Sequence, residues 1–453
     1  MSKKKAKQKY YVCNECGYES DKWFAKCPIC NEMGSAVEFT ADINYMDSSN
    51  DDEINSNEIT YLDSKIEEPE RLKIKSIQIN KALNDGLVKG AVYLLSGEPG
   101  IGKSTLVSQL SDSENSVVYI SAEESKSQVM QRFKRLGINN KNIGLIFSNS
   151  LEGIFKSISK LKEKPEILIF DSIQTIKSDD VDSNPGSVLQ VKESTRKIVE
   201  YSKRTETSSL LIGHVTKEGN VAGPKLLEHV VDCVISFELE KTSGLRMFRV
   251  NKNRYGPTDE IVLMEMTERG LYPINDLTNY FLSDYSNEPG NTLSIIKEGN
   301  KLIPIEIQSL VSKPVYGSPR RVSSGISIDK VFMITAVLSK KLKLPVESKD
   351  IFLNTSGGFR ISDSSIDSAI AFTIISSLFE QTLDKSTIFI GEIGLDGKIR
   401  NTSHIEKRVE MAKKIGIENI CISKRAKING KNIIKLDNIS DIVKMFKGGQ
   451  YYD

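Results

Sequence analysis

No stretch of this 453-residue chain is apolar for the ~18 consecutive residues that a membrane-spanning helix needs. The N-terminus carries five lysines in its first nine residues, but no apolar segment follows, so no secretory leader is expected. An excess of one charge is also missing. The 62 basic residues nearly cancel the 60 acidic ones, so net charge alone points to no partner. Cysteine is scarce, six in all, which excludes a disulfide scaffold at this size. The chain is expected in the cytoplasm, with no membrane partner. Four of the six cysteines cluster near the start, and clustered thiols in a reducing compartment point to a metal.

The length accommodates two or three domains, and a hydrophobic fraction of 39% supports packed cores. The first module is expected at residues 10–38. Cys13-x2-Cys16 is followed by Cys27-x2-Cys30. Each pair can grip one side of a tetrahedral ion. Two pairs close a four-thiolate Zn2+ site with no open coordination position, which is structural rather than catalytic. Gly17, Asn31 and Gly34 let the backbone curl around the metal. The alternative is a set of free thiols or a redox pair. Trp23, Phe24 and the nearby lysines either touch nucleic acid or protein, or form the small core of the ribbon. Residues 39–70 follow as a flexible linker. Between 41 and 70 there are ten acids against the single Lys65, with no helical or strand period.

The second module, residues 71–280, carries the chemistry. The apolar run Val92–Leu95 enters Gly97-Glu98-Pro99-Gly100-Ile101-Gly102-Lys103-Ser104-Thr105, a full GxxxxGK[ST] match. The loop's N–H groups wrap phosphates, Lys103 reaches the β- and γ-phosphates, and Ser104 ligates Mg2+. A helix beginning at Ser104 would point its N-terminus at the anion. ATP is the nucleotide expected. Ser116–Ser121 reads as a second strand, ending at Glu123 and Glu124. Acids there sit beside the nucleotide of an open α/β sheet. Glu123 is the candidate to orient the attacking water and Glu124 the second choice; a first-turn helix acid is the alternative. Glu166–Phe170 ends in Asp171, a Walker-B pattern that would hold Mg2+. Ser208–Ile212 leads to His214, either a γ-phosphate sensor or an ordinary loop histidine. Val230–Phe237 and Met247–Asn251 complete the strands. Lys252 and Arg254 then stand two residues apart on an extended chain, so they point the same way and make a clamp for phosphate oxygens; the alternative is a solvated hairpin turn. Of two loops after central strands, Lys177–Ser187 carries Asp179, Asp180 and Asp182. Lys217–Lys225 is therefore the better candidate for contact with DNA phosphates.

The order of cysteine pairs, GEPGIGKST, YISAEES, FDSIQT, GHVTKEGNVAGPKLLEHVVD and KNRYG resembles the RadA/Sms family of bacterial DNA-repair proteins over nearly the whole chain. The resemblance implies a RecA-like ATPase that binds single-stranded and branched DNA and drives branch migration. It implies a RecA recombinase as partner and a homo-oligomeric, hexameric ring. In that ring Lys252 and Arg254 would act on the nucleotide of a neighbouring subunit. Tyr255 stands where the family has Phe, and Asn84-Asp85-Gly86 where it has a glycine triplet.

The third module, residues 285–453, is similar to the Lon protease domain at Ser362–Ser377 and Gly391–Arg400. Lon enzymes use a serine and a neutral lysine. Alignment on GEIGLDG puts Ser365 at the nucleophile position and Arg408, beside Lys407, at the base position. Arginine stays protonated and cannot act as a base. Asp367 stands where Lon has a glycine next to its nucleophile, and a carboxylate there would oppose a developing oxyanion. The domain is expected to be a non-proteolytic scaffold. Lys340, Lys341, Lys343, Arg320 and Arg321 are candidates for a DNA path, or a solvated face. The expected fold is α/β throughout: zinc ribbon, doubly wound RecA-like ATPase with a mainly parallel sheet, and Lon-like domain. The rival functions are an ATP-regulated Ser/Lys peptidase and a KaiC-like signalling ATPase, in which the EES after the second strand recurs.

Overall fold

The computed structural model describes residues 7–13, 18–29, 31–42, 68–214, 227–241, 243–314, 317–356, 360–383 and 385–446. Two compact units result: Met1–Glu238 with Arg246–Tyr272, and Leu239–Leu245 with Pro273–Asp453. Among the described residues no helix is long and apolar enough to cross a membrane.

The chain opens with β1 (Lys7–Cys13), β2 (Glu19–Ser20) and β3 (Ala36–Asp42), an antiparallel sheet in the order β2-β1-β3. Most of the acidic linker lies outside the described residues.

After the short pair β4 (Arg71–Leu72) and β5 (Leu87–Val88) comes a nine-stranded sheet. Its strands are β6 (Val92–Gly97), β7 (Val117–Ser121), β8 (Ile143–Phe147), β9 (Ile167–Asp171) and β10 (Ser208–His214). They continue with β11 (Cys233–Leu239), β12 (Arg246–Asn253), β13 (Ile261–Thr267) and β14 (Gly270–Pro273). The order is β14-β13-β12-β11-β6-β10-β9-β7-β8. Strands β6 to β11 pair in parallel, and β12 and β13 pair antiparallel. Every residue of β6, β7 and β9 is buried. Parallel strands covered on both faces read as continuous rather than alternating apolar runs, which is why these three stand out in sequence. Because the central strands are parallel, their carboxyl ends share one edge. His214 pairs with Gly97 there, and Ser121 with Asp171.

The second unit has seven strands in one mixed sheet: β15 (Asn291–Glu298), β16 (Lys301–Ser312), β17 (Arg321–Ser323), β18 (Asp350–Thr355) and β19 (Thr387–Ile390), then β22 (Asn419–Ser423) and β23 (Ile433–Leu436). The order is β17-β18-β16-β15-β19-β22-β23. Between the last three, β20 (Glu392–Ile393) and β21 (Ile399–Arg400) form a small hairpin. Helix Asp367–Phe379 is buried along Asp367–Ser377, as a helix apolar on all sides must be.

Candidate functional site

Gly102 begins the P-loop helix, Lys103–Leu110, and adopts φ 107°. It offers no side chain to cap the helix, so the first N–H groups remain available to an anion. A Cβ at Gly102 would lie 2.5 Å from Met266 Cε. Lys103 is 3% exposed, and its Nζ donates to the carbonyls of Gly97 and Glu98, both at 2.8 Å. Burial pushes its pKa down to about 8, against the opposing pull of Asp171 and Glu123.

Asp171, at the end of β9, is buried. Its Oδ1 accepts from Ser104 Oγ at 3.2 Å, and its Oδ2 accepts from Tyr119 OH at 2.5 Å. A hydroxyl and a carboxylate held side by side form an all-oxygen donor set, which suits Mg2+. Glu123 and Glu124 part company. Glu124 is paired with Arg132. Glu123 accepts from Ser172 Oγ, keeps its side chain 43% exposed, and lies 3.9 Å from His214 Nε2. Burial, aided by the Lys103 cation, lowers the pKa of His214 against the pull of Glu123 and Asp171. The shift favours the neutral imidazole. Gln174 Nε2 donates to the His214 carbonyl at 3.3 Å. Among the described residues, His214 Nδ1 and Gln174 Oε1 are buried without a hydrogen-bond partner. Lys103, Ser104, Glu124, Arg132 and His214 line one open cleft of about 470 Å³.

Tyr119, Arg132, Ser172 and Gln174 join the site without being singled out by any motif role in the sequence. A tyrosine inside a fully buried strand needs a partner for its hydroxyl. Tyr119 is also two residues from Ser121, the register partner of Asp171, and so shares its face. That signal was available. Arg132 sits on a neighbouring helix, Lys126–Leu136, and nothing local in the sequence marks it.

Lys252 and Arg254 do not form the joint clamp expected of two cations on an extended chain. Strand β12 ends at Asn253, so only Lys252 belongs to it. Its Nζ donates to the carbonyls of Glu228 at 2.6 Å and Val231 at 2.8 Å. Arg254 turns toward Asp232, with NH1 to Oδ1 at 3.4 Å, and leaves about half its side chain exposed. Asp232 itself is buried and accepts from Val92 N at 3.0 Å. Val92 starts β6, while the P-loop follows its other end. Arg254 therefore lies at the sheet edge opposite its own P-loop, with the length of β6, about 17 Å for its six residues, between the two edges. Behind it, the Tyr255 carbonyl accepts from Arg71 at 2.9 Å and Asn84 at 3.0 Å. Asn84, Asp85 and Gly86 all take positive φ, 56°, 84° and 125°. A glycine triplet suits that turn, and Asn and Asp are the side chains that tolerate it best.

In the ribbon, Cys27 N donates to Glu32 O and Asn31 N to Cys27 O, both at 2.9 Å, which makes a tight turn. Ser35 Oγ accepts from Cys13 Sγ at 3.2 Å and donates to Glu32 O at 3.3 Å. It thus ties the first cysteine to the turn of the third. Both cysteines are buried, and thiolates are the ligands a structural zinc takes. Cys16 and Cys30 lie outside the described residues, as does the Lys217–Lys225 loop. In the Lys177–Ser187 loop, Asp180 is paired with Lys197 at 2.5 Å.

In the second unit Ser365 and Arg408 do meet, with Arg408 NH1 2.9 Å from Ser365 Oγ. Both are 0% exposed. The serine hydroxyl also lies 3.1 Å from the Ile295 carbonyl, and Arg408 NH2 pairs with Asp363 at 2.7 Å. Asp367 pairs with Lys330 at 2.5 Å. An inaccessible hydroxyl beside a permanent cation is no nucleophile. Arg320 pairs with Asp350 at 2.9 Å, and Arg321 donates to backbone carbonyls, so these two are structural links.

Family models match three segments: the KaiC ATPase over residues 57–164, a rubredoxin metal-binding domain over 11–38, and subunit ChlI of Mg-chelatase over 300–426. Relatives match along nearly the full length. The DNA repair protein RadA of Aquifex aeolicus is 38% identical over 440 residues, covering 96% of this chain and 98% of that one. RadA of Bacillus subtilis is 38% identical over 472 residues, covering 99% and 100%. RadA of Campylobacter jejuni is 37% identical over 428 residues, covering 93% and 94%. The α/β architecture of zinc ribbon, RecA-like ATPase and Lon-like domain is that of an ATP-hydrolysing enzyme. With this identity over this length, the chain belongs to the RadA family of DNA repair proteins.

Proposed function

We propose that the protein hydrolyses Mg-ATP at sites shared between neighbouring copies in a cytoplasmic, hexameric ring, and uses the energy to move on single-stranded DNA and drive branch migration during recombinational repair. Lys103 would bridge the β- and γ-phosphates, and Ser104 and Asp171 would hold Mg2+, which would supply charge neutralisation at the phosphates. Glu123 orients the attacking water. Of the acid pair it is the member without a cation, since Glu124 is engaged by Arg132 while Glu123 meets the Ser172 hydroxyl. His214 lies between Glu123 and the Lys217–Lys225 loop in sequence and is the group suited to relay the state of the γ-phosphate to a DNA-contacting loop. The partner implied by the resemblance is a RecA recombinase.

One observation carries the shared site: Arg254 is anchored to Asp232 at the edge of the sheet away from its own P-loop. A finger there serves a neighbour or nobody. The peptidase alternative has against it the burial of Ser365 beside Arg408. The signalling alternative is separated by DNA. ATP turnover should rise several-fold when single-stranded DNA is added, with Lys103→Ala as the inactive control. Turnover indifferent to DNA at low salt, where phosphate contacts are strongest, would remove the translocation reading.

A further inference from the structure

Tyr119 is 0% exposed and fixed by an edge-on contact with Phe133, with ring centroids 5.5 Å apart. Its hydroxyl stands between two charged groups. Arg132 NH2 donates to it at 2.9 Å, and it donates to Asp171 Oδ2 at 2.5 Å. Because arginine can only donate and the carboxylate can only accept, the direction of the chain is fixed: guanidinium, hydroxyl, carboxylate. Arg132 is itself held at its other nitrogens. Its Nε donates to Ser108 Oγ at 3.0 Å, on the P-loop helix, and its NH1 is paired with Glu124. The fork therefore spans the P-loop helix, the acid pair after β7, and the Tyr119 hydroxyl. The second oxygen of Asp171, Oδ1, faces Ser104.

We propose that Tyr119 and Arg132 are positioning residues that fix which oxygen of Asp171 is presented to the metal of Mg-ATP. With Oδ2 committed to Tyr119, Oδ1 beside Ser104 is the oxygen turned to the cation. A carboxylate free to rotate would offer either oxygen and would gain less from the cation. The inference rests on the Mg-ATP reading above. It differs from a packing role, because a hydroxyl that merely satisfies a buried strand has no bearing on magnesium.

The test uses the full chain and a fluorescent ATP analogue, titrated in excess Mg2+ and in EDTA. The parent protein should bind more tightly with Mg2+; if it gains nothing, the Mg-ATP reading itself fails. Tyr119→Phe keeps the ring and loses only the hydroxyl. Its affinity in EDTA should match the parent within about twofold, while the gain from Mg2+ shrinks about tenfold, as loss of one charge-assisted hydrogen bond implies. The Mg2+ concentration giving half-maximal turnover should rise by a similar factor. Arg132→Lys keeps the charge but cannot span three partners at once, and should give the same magnesium-selective loss. A parental Mg2+ gain in Tyr119→Phe, or equal losses in Mg2+ and EDTA, overturns the proposal. Parental behaviour of Arg132→Lys removes the arginine from it.

Discussion

Arg254 hydrogen-bonds the buried carboxylate of Asp232, 3.4 Å from NH1 to Oδ1, and the other oxygen of that carboxylate accepts from Val92 N at 3.0 Å. The cation is thereby tied to the start of the strand whose far end opens into the P-loop. Asp232 also receives the backbone N–H of Arg254 at its own carbonyl, 3.1 Å away. Geometry within one chain separates Arg254 from the P-loop. A ring of copies would reunite them.

Lys103→Ala should abolish ATP turnover and leave the fold intact. Its ammonium bonds two carbonyls of the loop itself. Steady-state hydrolysis and a thermal melt check both halves. Normal turnover would sink the P-loop assignment.

Glu123→Gln should bind ATP and lose turnover by about 10² to 10⁴, the range for removal of a positioned acid or base. Glu124→Gln should lose far less, since its carboxylate is spent on Arg132. The reverse ranking in kcat would show that the water is oriented by the second acid.

Ser365→Ala should leave ATP turnover unchanged and reveal no lost peptidase activity. Arg408→Met should destabilise the second unit by about 3 kcal/mol, because it takes the cation from the partly buried Asp363. Burial acts to raise the Asp363 pKa. The N–H groups of Ser365 and Lys297 and the Arg408 cation outweigh it and hold the carboxyl below its ordinary value. A depressed carboxylate stabilises the fold above its unfolded value, about 3.9, and loses that contribution as pH falls through the folded value. The gap in melting temperature between parent and Arg408→Met should therefore be wide at pH 7 and narrow in acid, below pH ~4.

Purified, reduced protein should hold one zinc per chain, and Cys27→Ser should release it without lowering ATP turnover in the absence of DNA. Metal analysis of both proteins decides this. A metal-free parent would count against the ribbon.

The P-loop strands were legible because burial on both faces of β6, β7 and β9 writes uninterrupted apolar runs. Strand β8 was not. It lies at the sheet edge, half-exposed and interrupted by Gly144, so its pattern resembles a loop. Nor were β13 and β14, whose exposed ends mix polar and apolar residues. The strand expected from Val230 starts only at Cys233. The three residues before it form the turn that carries Asp232, a role that depends on Val92 some 140 positions away in sequence. Long-range partnerships of this kind also fixed the fates of Lys252 and Arg132. Sequence spacing put Lys252 and Arg254 on one side, but it could not weigh the carbonyls of Glu228 and Val231 as competing acceptors.

Mixing two inactive variants tests the shared site most directly. Arg254→Ala should bind ATP yet turn over about 10³-fold more slowly or worse, as loss of an arginine finger does. Lys103→Ala lacks a working P-loop. In a mixed ring, some interfaces pair an intact P-loop from one copy with an intact Arg254 from the next. Turnover should then return to a sizeable fraction of the parent rate and follow the mixing ratio with a maximum between the extremes. If each Arg254 instead serves the nucleotide of its own chain, every site in the mixture lacks one group. Flat, inactive mixtures that demonstrably co-assemble would contradict the account.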